Sequence, residues 1–171
     1  MAQLLEGTVP DFATYERLLA AIEEKTARIE RAMPEAFACR MGCHHCCQAV
    51  PTILPVEWAY LRTFDRLPSA PLVSELHPAE SLCRRLEADG RCAIYVHRPV
   101  VCRTHGHLLV TEEGEIDHCP WNFEGLEEVD DSLVFRLEDL HTTLLRVNLD
   151  FLHRSCPARF AELASCRVRF H

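Results

Sequence analysis

The sequence is short of what most functional classes require. No apolar run approaches the roughly 18 residues of a membrane-spanning helix, so no helical crossing is expected. The formal net charge is −8, the isoelectric point is about 5.7, and no block of like positive charge occurs, which argues against a nucleic-acid or anionic-membrane surface. Lys25 is the only lysine among 18 basic residues, an arginine bias that reflects genome composition more readily than function. There is no Gly-rich phosphate loop, dinucleotide fingerprint, nucleophile elbow or His-Glu-x-x-His motif, so nothing points to an organic cofactor or a hydrolase. The opening Met-Ala-Gln-Leu-Leu-Glu-Gly lacks the basic region, apolar stretch and small-residue cleavage site of a secretory leader. The expectation is a cytoplasmic protein with neither nucleic acid nor membrane as partner.

Cysteine, by contrast, is abundant, with ten in 171 residues. Thiols stay reduced in the cytosol, so clustered cysteines read there as metal ligands ahead of a disulfide framework. Residues 39–47, Cys-Arg-Met-Gly-Cys-His-His-Cys-Cys, hold four of them with two histidines. Cys39, Cys43 and Cys46 recur every three or four residues, as ligands must if a short irregular loop is to wrap one centre. The Cys-x3-Cys-x2-Cys spacing lets three thiolates hold three corners of an iron–sulfur cubane, as in radical SAM enzymes, and zinc loops use similar gaps. The chain is too short for the radical SAM barrel, so that activity is not expected. Gly42 allows a tight turn before Cys43. Cys46 and Cys47 are adjacent and should point apart, serving different centres or leaving one as a core thiol.

Length and 48% hydrophobic content fit a single domain, residues 1–171, with an ordinary core. Apolar residues at three- and four-residue steps predict an amphipathic N-terminal helix over 11–37, with Asp11 as N-cap and Pro34 ending or kinking it. A second helix should begin at Pro55 and run to about Leu67, followed by a loop over 68–71. Within the metal-binding cysteine-rich region 39–120, the stretch from about Leu72 to Cys119 lacks sustained periodicity and reads as loop, short hairpin and single helical turns, with tight turns at Asp89-Gly90 and Glu113-Gly114. From Asp130-Asp131-Ser132 a long helix over 130–155 is predicted, its broad apolar stripe better suited to the domain's own core than to a coiled coil. A short helix over 158–165 would follow. The fold class is mainly α, a small helical domain with an irregular cysteine-rich metal-binding middle that contains short β hairpins.

Cys83, Cys92, Cys102 and Cys119 are too widely spaced to define a site locally, and make sense only if folding brings them to the first loop. The order Cys39-x2-Gly42-Cys43-x2-Cys46-Cys47, Cys83-x2-Leu86, Gly90-Arg91-Cys92-x-Ile94-Tyr95-x2-Arg98-Pro99-x2-Cys102-Arg103 and Cys119-Pro120 resembles the YkgJ-type cysteine-cluster proteins, a zinc- or iron-chelating domain family. The resemblance implies that Cys39, Cys43, Cys46, Cys47, Cys83, Cys92, Cys102 and Cys119 chelate iron or zinc, in a family often labelled as iron–sulfur oxidoreductases. A related motif occurs in longer flagellin lysine methylases, whose activity is not carried over. Arg84 stands where many members have proline, which should alter the hairpin rather than ligation. Cys156 and Cys166 fall outside the pattern and read as plain buried or terminal thiols.

Four thiolates around Zn²⁺ or a doubly positive cubane core leave a charge of about −2, which a partly buried site must offset. Arg40, Arg91, Arg98 and Arg103 are the candidates, Arg98 foremost as a residue behind the ligands. Tyr95 is expected to lay its ring over the site with its hydroxyl bonded to backbone, and Pro99 to start a short helix presenting Cys102. His44, His45, His105, His107 and His118 lie near cysteines; a solvated or hydrogen-bonded imidazole is the plainer reading of each, with His105 and His118 the first to check. Three functions follow. One is a [4Fe–4S] protein, held by Cys39, Cys43, Cys46 and a thiolate from the second set, serving electron transfer or an oxidoreductase with a redox protein as partner. Another is a structural or interaction module with one or two closed four-cysteine Zn²⁺ centres. The third is metal trafficking or sensing, favoured only by the His-rich stretch 105–118.

Overall fold

A computed structural model describes residues 10–40, 42–48, 51–64, 83, 85–126 and 128–169. Helix α1, Ala13–Ala32, buries Tyr15, Leu19, Ile22 and Ile29, the face that the apolar spacing marks. Asp11 helps to start it, its carboxylate accepting the Ala13 N–H at 2.9 Å from one position outside the N-cap Phe12. The helix ends at Ala32, short of the expected residue 37, and Pro34–Ala36 form a separate 3-10 turn, because proline has no N–H to continue the α ladder. Helix α2, Pro55–Phe64, starts at its proline as expected. Its extension to Leu67, the 68–71 loop and Arg84 lie outside the described residues.

The C-terminal helix departs further from expectation. Asp130 does cap, accepting the Ser132 N–H at 2.8 Å, but it caps only the 3-10 turn Asp131–Leu133. Helix α4, Leu137–Ser155, begins six residues later than Asp131. Between them Phe135–Arg136 are extended as strand β4, paired in parallel with β2, Leu109–Val110. Both Val134 and Phe135 are buried there, and the Phe135 N–H donates to the Leu108 carbonyl at 2.8 Å. Burial and sheet pairing override the helical signal over this segment.

Strand β3, Ile116–Asp117, pairs with β2 in the expected hairpin, so the small sheet runs β3-β2-β4. A second pair, β1 (Thr52–Ile53) with β5 (Val168–Arg169), ties the end of the described chain to the entry of α2. Helix α3, Val100–Thr104, and α5, Phe160–Leu163, complete the named elements. Helix α4 packs against α1 and α2. The main core gathers Tyr15, Leu19, Val56, Leu144, Val147, Phe151 and Leu152, with Phe12 stacked on Phe151 at 5.4 Å between centroids. Burial of each such side chain is worth about 1.5–3 kcal/mol. The fold is mainly α, with the cysteine-rich segments laid against this helical scaffold.

Candidate metal centre

The first loop is shaped by backbone bonds between neighbouring ligands. The Cys43 N–H donates to the Arg40 carbonyl and the Cys47 N–H to the His44 carbonyl, each at 2.9 Å, with Cys46 and Cys47 on the 3-10 turn His45–Gln48. Gly42 has φ +87°, the left-handed turn that glycine permits there. The second set docks directly on this loop. The Cys83 N–H donates to the Cys47 carbonyl at 2.8 Å, and a Cβ on Gly90 would stand 2.9 Å from the Gly42 carbonyl oxygen. Leu86 and Cys92 bridge across the Gly90 turn, and α3 carries Cys102.

The result is a cavity of about 770 Å³ lined by Cys39, Cys43, Cys46, Cys47, Cys83, Cys92, Cys102 and Cys119, all eight of the cysteines singled out by sequence. Two groupings emerge within it. Cys39 and Cys119 meet over Gly106, whose missing Cβ would lie 3.7 Å from the Cys39 Sγ and 3.6 Å from the Cys119 Cβ, and Cys39 also feels the charges of Cys43 and Cys46. Cys46 and Cys47, expected to point apart, instead share a side-chain hydrogen bond; Cys47 also adjoins Cys83, and Cys83, Cys46 and Cys92 bear on Cys102. Cys46 neighbours both groups. Among the described residues, no three His, Cys, Asp or Glu side chains are gathered as the ligands of a single ion.

The thiols are electrostatically uneven. The proton of Cys47, offered to both neighbouring sulfurs, lowers Cys46 to about 6 and Cys83 to about 7, with His105 and Arg98 adding to the effect on Cys46. Cys47 is correspondingly pushed up. Burial raises Cys102 to about 12, the neighbouring Cys83 adding and Arg98 opposing, and burial likewise raises Cys39 and Cys92. A metal bound here would have to displace the protons of the raised thiols.

Arg40, Arg91 and Arg98 line the cavity, with Glu30 the only carboxylate on its described wall. Arg98 donates to the Tyr95 carbonyl at 3.1 Å and stacks 3.8 Å from the Tyr95 ring centroid. Arg103 is turned away, held by the Arg98 and Val96 carbonyls and by Glu23 of α1. Tyr95 does border the site, but it is 61% exposed, and among the described residues its hydroxyl has no hydrogen-bond partner. His45 and His105 reach the cavity, whereas His118 bonds the Cys119 carbonyl at 2.9 Å outside it. His44 folds back on the Gly42 carbonyl, and His107 is buried against Phe37 and Phe135, with burial lowering it to about 4. Cys156 sits in the main helical core and Cys166 packs against it.

Sequence reasoning missed Asn122, Gly106 and Glu57. Asn122 is 1% exposed and its amide reaches Cys39, Ala38 and Gly106. The signal available was a polar residue between aromatic neighbours just after Cys119, a pattern shared with many loops. Glu57, also buried, accepts the Leu54 N–H at 2.9 Å and the Val100 N–H at 3.0 Å, joining the start of α2 to the start of the Cys102 helix.

Eight cysteines and three arginines on the wall of one cavity are a donor set suited to a metal. Residues 38–122 match the CxxCxxCC family model, described as "Putative zinc- or iron-chelating domain", and this cysteine-rich segment belongs to that family. No curated protein and no solved structure matches the chain.

Proposed function

We propose that the protein holds iron–sulfur chemistry in this cavity and serves electron transfer or an oxidoreductase. The carrying observation is that all eight family cysteines line a single space of about 770 Å³, large enough for more than isolated ions. Eight thiols on one cavity wall are more than a single zinc ion needs, and thiolates are the ligands that hold iron–sulfur clusters. The groupings support two centres. Cys39, Cys43, Cys46 and Cys119 would hold the first, with Cys119 as the thiolate that completes the opening loop. Cys47, Cys83, Cys92 and Cys102 would hold the second. Adjacent Cys46 and Cys47 would thus be divided between the centres, each sulfur giving up the hydrogen bond that now joins it to the other. Arg40, Arg91 and Arg98 would offset the charge of the thiolates. The exposed Tyr95 on the wall, and Trp121 packed on the wall residue His45, offer an apolar rim for a redox partner.

Zinc is the second reading, favoured by the Cys46–Cys47–Cys83 run of adjoining sulfurs, a compact arrangement that suits a closed tetrahedral site. Anaerobic purification followed by iron, zinc and acid-labile sulfide analysis with visible absorption separates the two. A brown protein with iron and sulfide in matching amounts is expected; a colourless protein with stoichiometric zinc and no sulfide would replace the first reading with the second.

A further inference from the structure

Asn122 follows Cys119 by one short turn, its N–H donating to the Cys119 carbonyl at 2.9 Å. Its side-chain oxygen accepts the Ala38 N–H at 3.0 Å, and its Nδ2 donates to the Gly106 carbonyl at 2.8 Å and to the Cys39 Sγ at 3.3 Å. An amide bond partner of unknown polarity would leave the group free to flip, but a backbone N–H only donates and a carbonyl only accepts. The amide therefore has one orientation, and its second N–H is aimed at the sulfur. The Cys39 Sγ lies 3.6 Å from the Asn122 oxygen, so a thiol can donate there, whereas a thiolate can only accept from Nδ2. Gly106 keeps the space open. It has φ +91°, and a Cβ on it would come within 3.1 Å of Nδ2.

We propose that Asn122 is the positioning residue of the first centre, holding Cys39 against Cys119 and giving its thiolate an N–H···S hydrogen bond. The inference rests on the reading that Cys39 and Cys119 serve one metal centre. One buried amide joins the backbone before Cys39, the Gly106 turn and the turn after Cys119, so the sulfur's direction is fixed before any metal arrives. Once the thiolate is bound, the same N–H draws charge from it, and groups behind the ligands typically govern metal affinity by 10–100-fold.

The test loads the full chain, stripped of metal, with ¹¹³Cd²⁺ and compares it with Asn122→Asp, which keeps volume and the acceptor toward Ala38 but removes both N–H donors. The wild type should show a scalar coupling from ¹¹³Cd to an Asn122 side-chain proton across the sulfur. Asn122→Asp should surrender cadmium from this centre to a chelator about 10–100-fold faster. Protection of Cys102 from alkylation should stay unchanged, whereas general loosening would expose it too. Cadmium uptake with no coupling and an unchanged release rate overturns the inference and leaves the metal reading standing. No uptake by the wild type overturns both. If Asn122→Asp does not fold, the wild-type coupling, which needs no variant, decides.

Discussion

Gly106 shows how tightly single residues are specified around the cavity. Its positive φ and the Asn122 amide, 3.1 Å from where a Cβ would stand, both disfavour a side chain. Gly106→Ala should cost about 1–3 kcal/mol in urea unfolding and lower the metal content of the purified protein. Cys156 provides the contrast, since it is a thiol of the helical core. Cys156→Ser should leave metal content unchanged while lowering stability by about 1–2 kcal/mol, because a hydroxyl replaces a buried apolar atom. The eight ligand candidates were legible because metal chemistry requires thiolates and the family motif orders them. Asn122 was not, because a hydrogen bond to a residue 83 positions away leaves no periodic trace. Arg103 was misplaced for a related reason: its nearness to Cys102 in sequence says nothing of its pull toward Glu23 on α1.

Elements report the same contest between local signal and tertiary context. The apolar stripes of α1 and α4 were readable, and α4 does pack into the domain's own core. Its start was not, because Val134 and Phe135 exchange helix for sheet pairing and burial. The two-residue strand β5 was invisible, being too short to alternate. Glu57 links two elements, and burial raises its carboxyl above the usual glutamate value while the Leu54 and Val100 N–H groups oppose that rise. A native state that holds this proton more tightly than the unfolded chain loses stability as pH rises. The fall should span the window from the ordinary glutamate value up to the raised folded one. Chemical denaturation across that window should show the fall in the wild type and its absence in Glu57→Ala, which is destabilised throughout by loss of two buried acceptors. An identical pH dependence in both would remove Glu57 from the account.

At the scale of the molecule, a helical scaffold and a cysteine-lined middle depend on different forces. The main core is built from apolar side chains of α1, α2 and α4, whereas residues 85–119 are mostly turns and short pieces with little apolar burial of their own. Metal removal should therefore leave most far-ultraviolet helical signal intact while hydrogen exchange across 85–119 rises steeply; collapse of the helical signal together with the middle would show that the scaffold needs the metal too. The central claim is that eight thiolates form two neighbouring centres divided between Cys46 and Cys47. Native mass spectrometry of anaerobically purified wild type, Cys119→Ser and Cys102→Ser tests it most directly. Two metal-bearing increments in the wild type, with one lost in each variant and the other kept, are predicted. A single increment abolished equally by both substitutions would contradict the division, and wild-type protein carrying no metal at all would contradict the account as a whole.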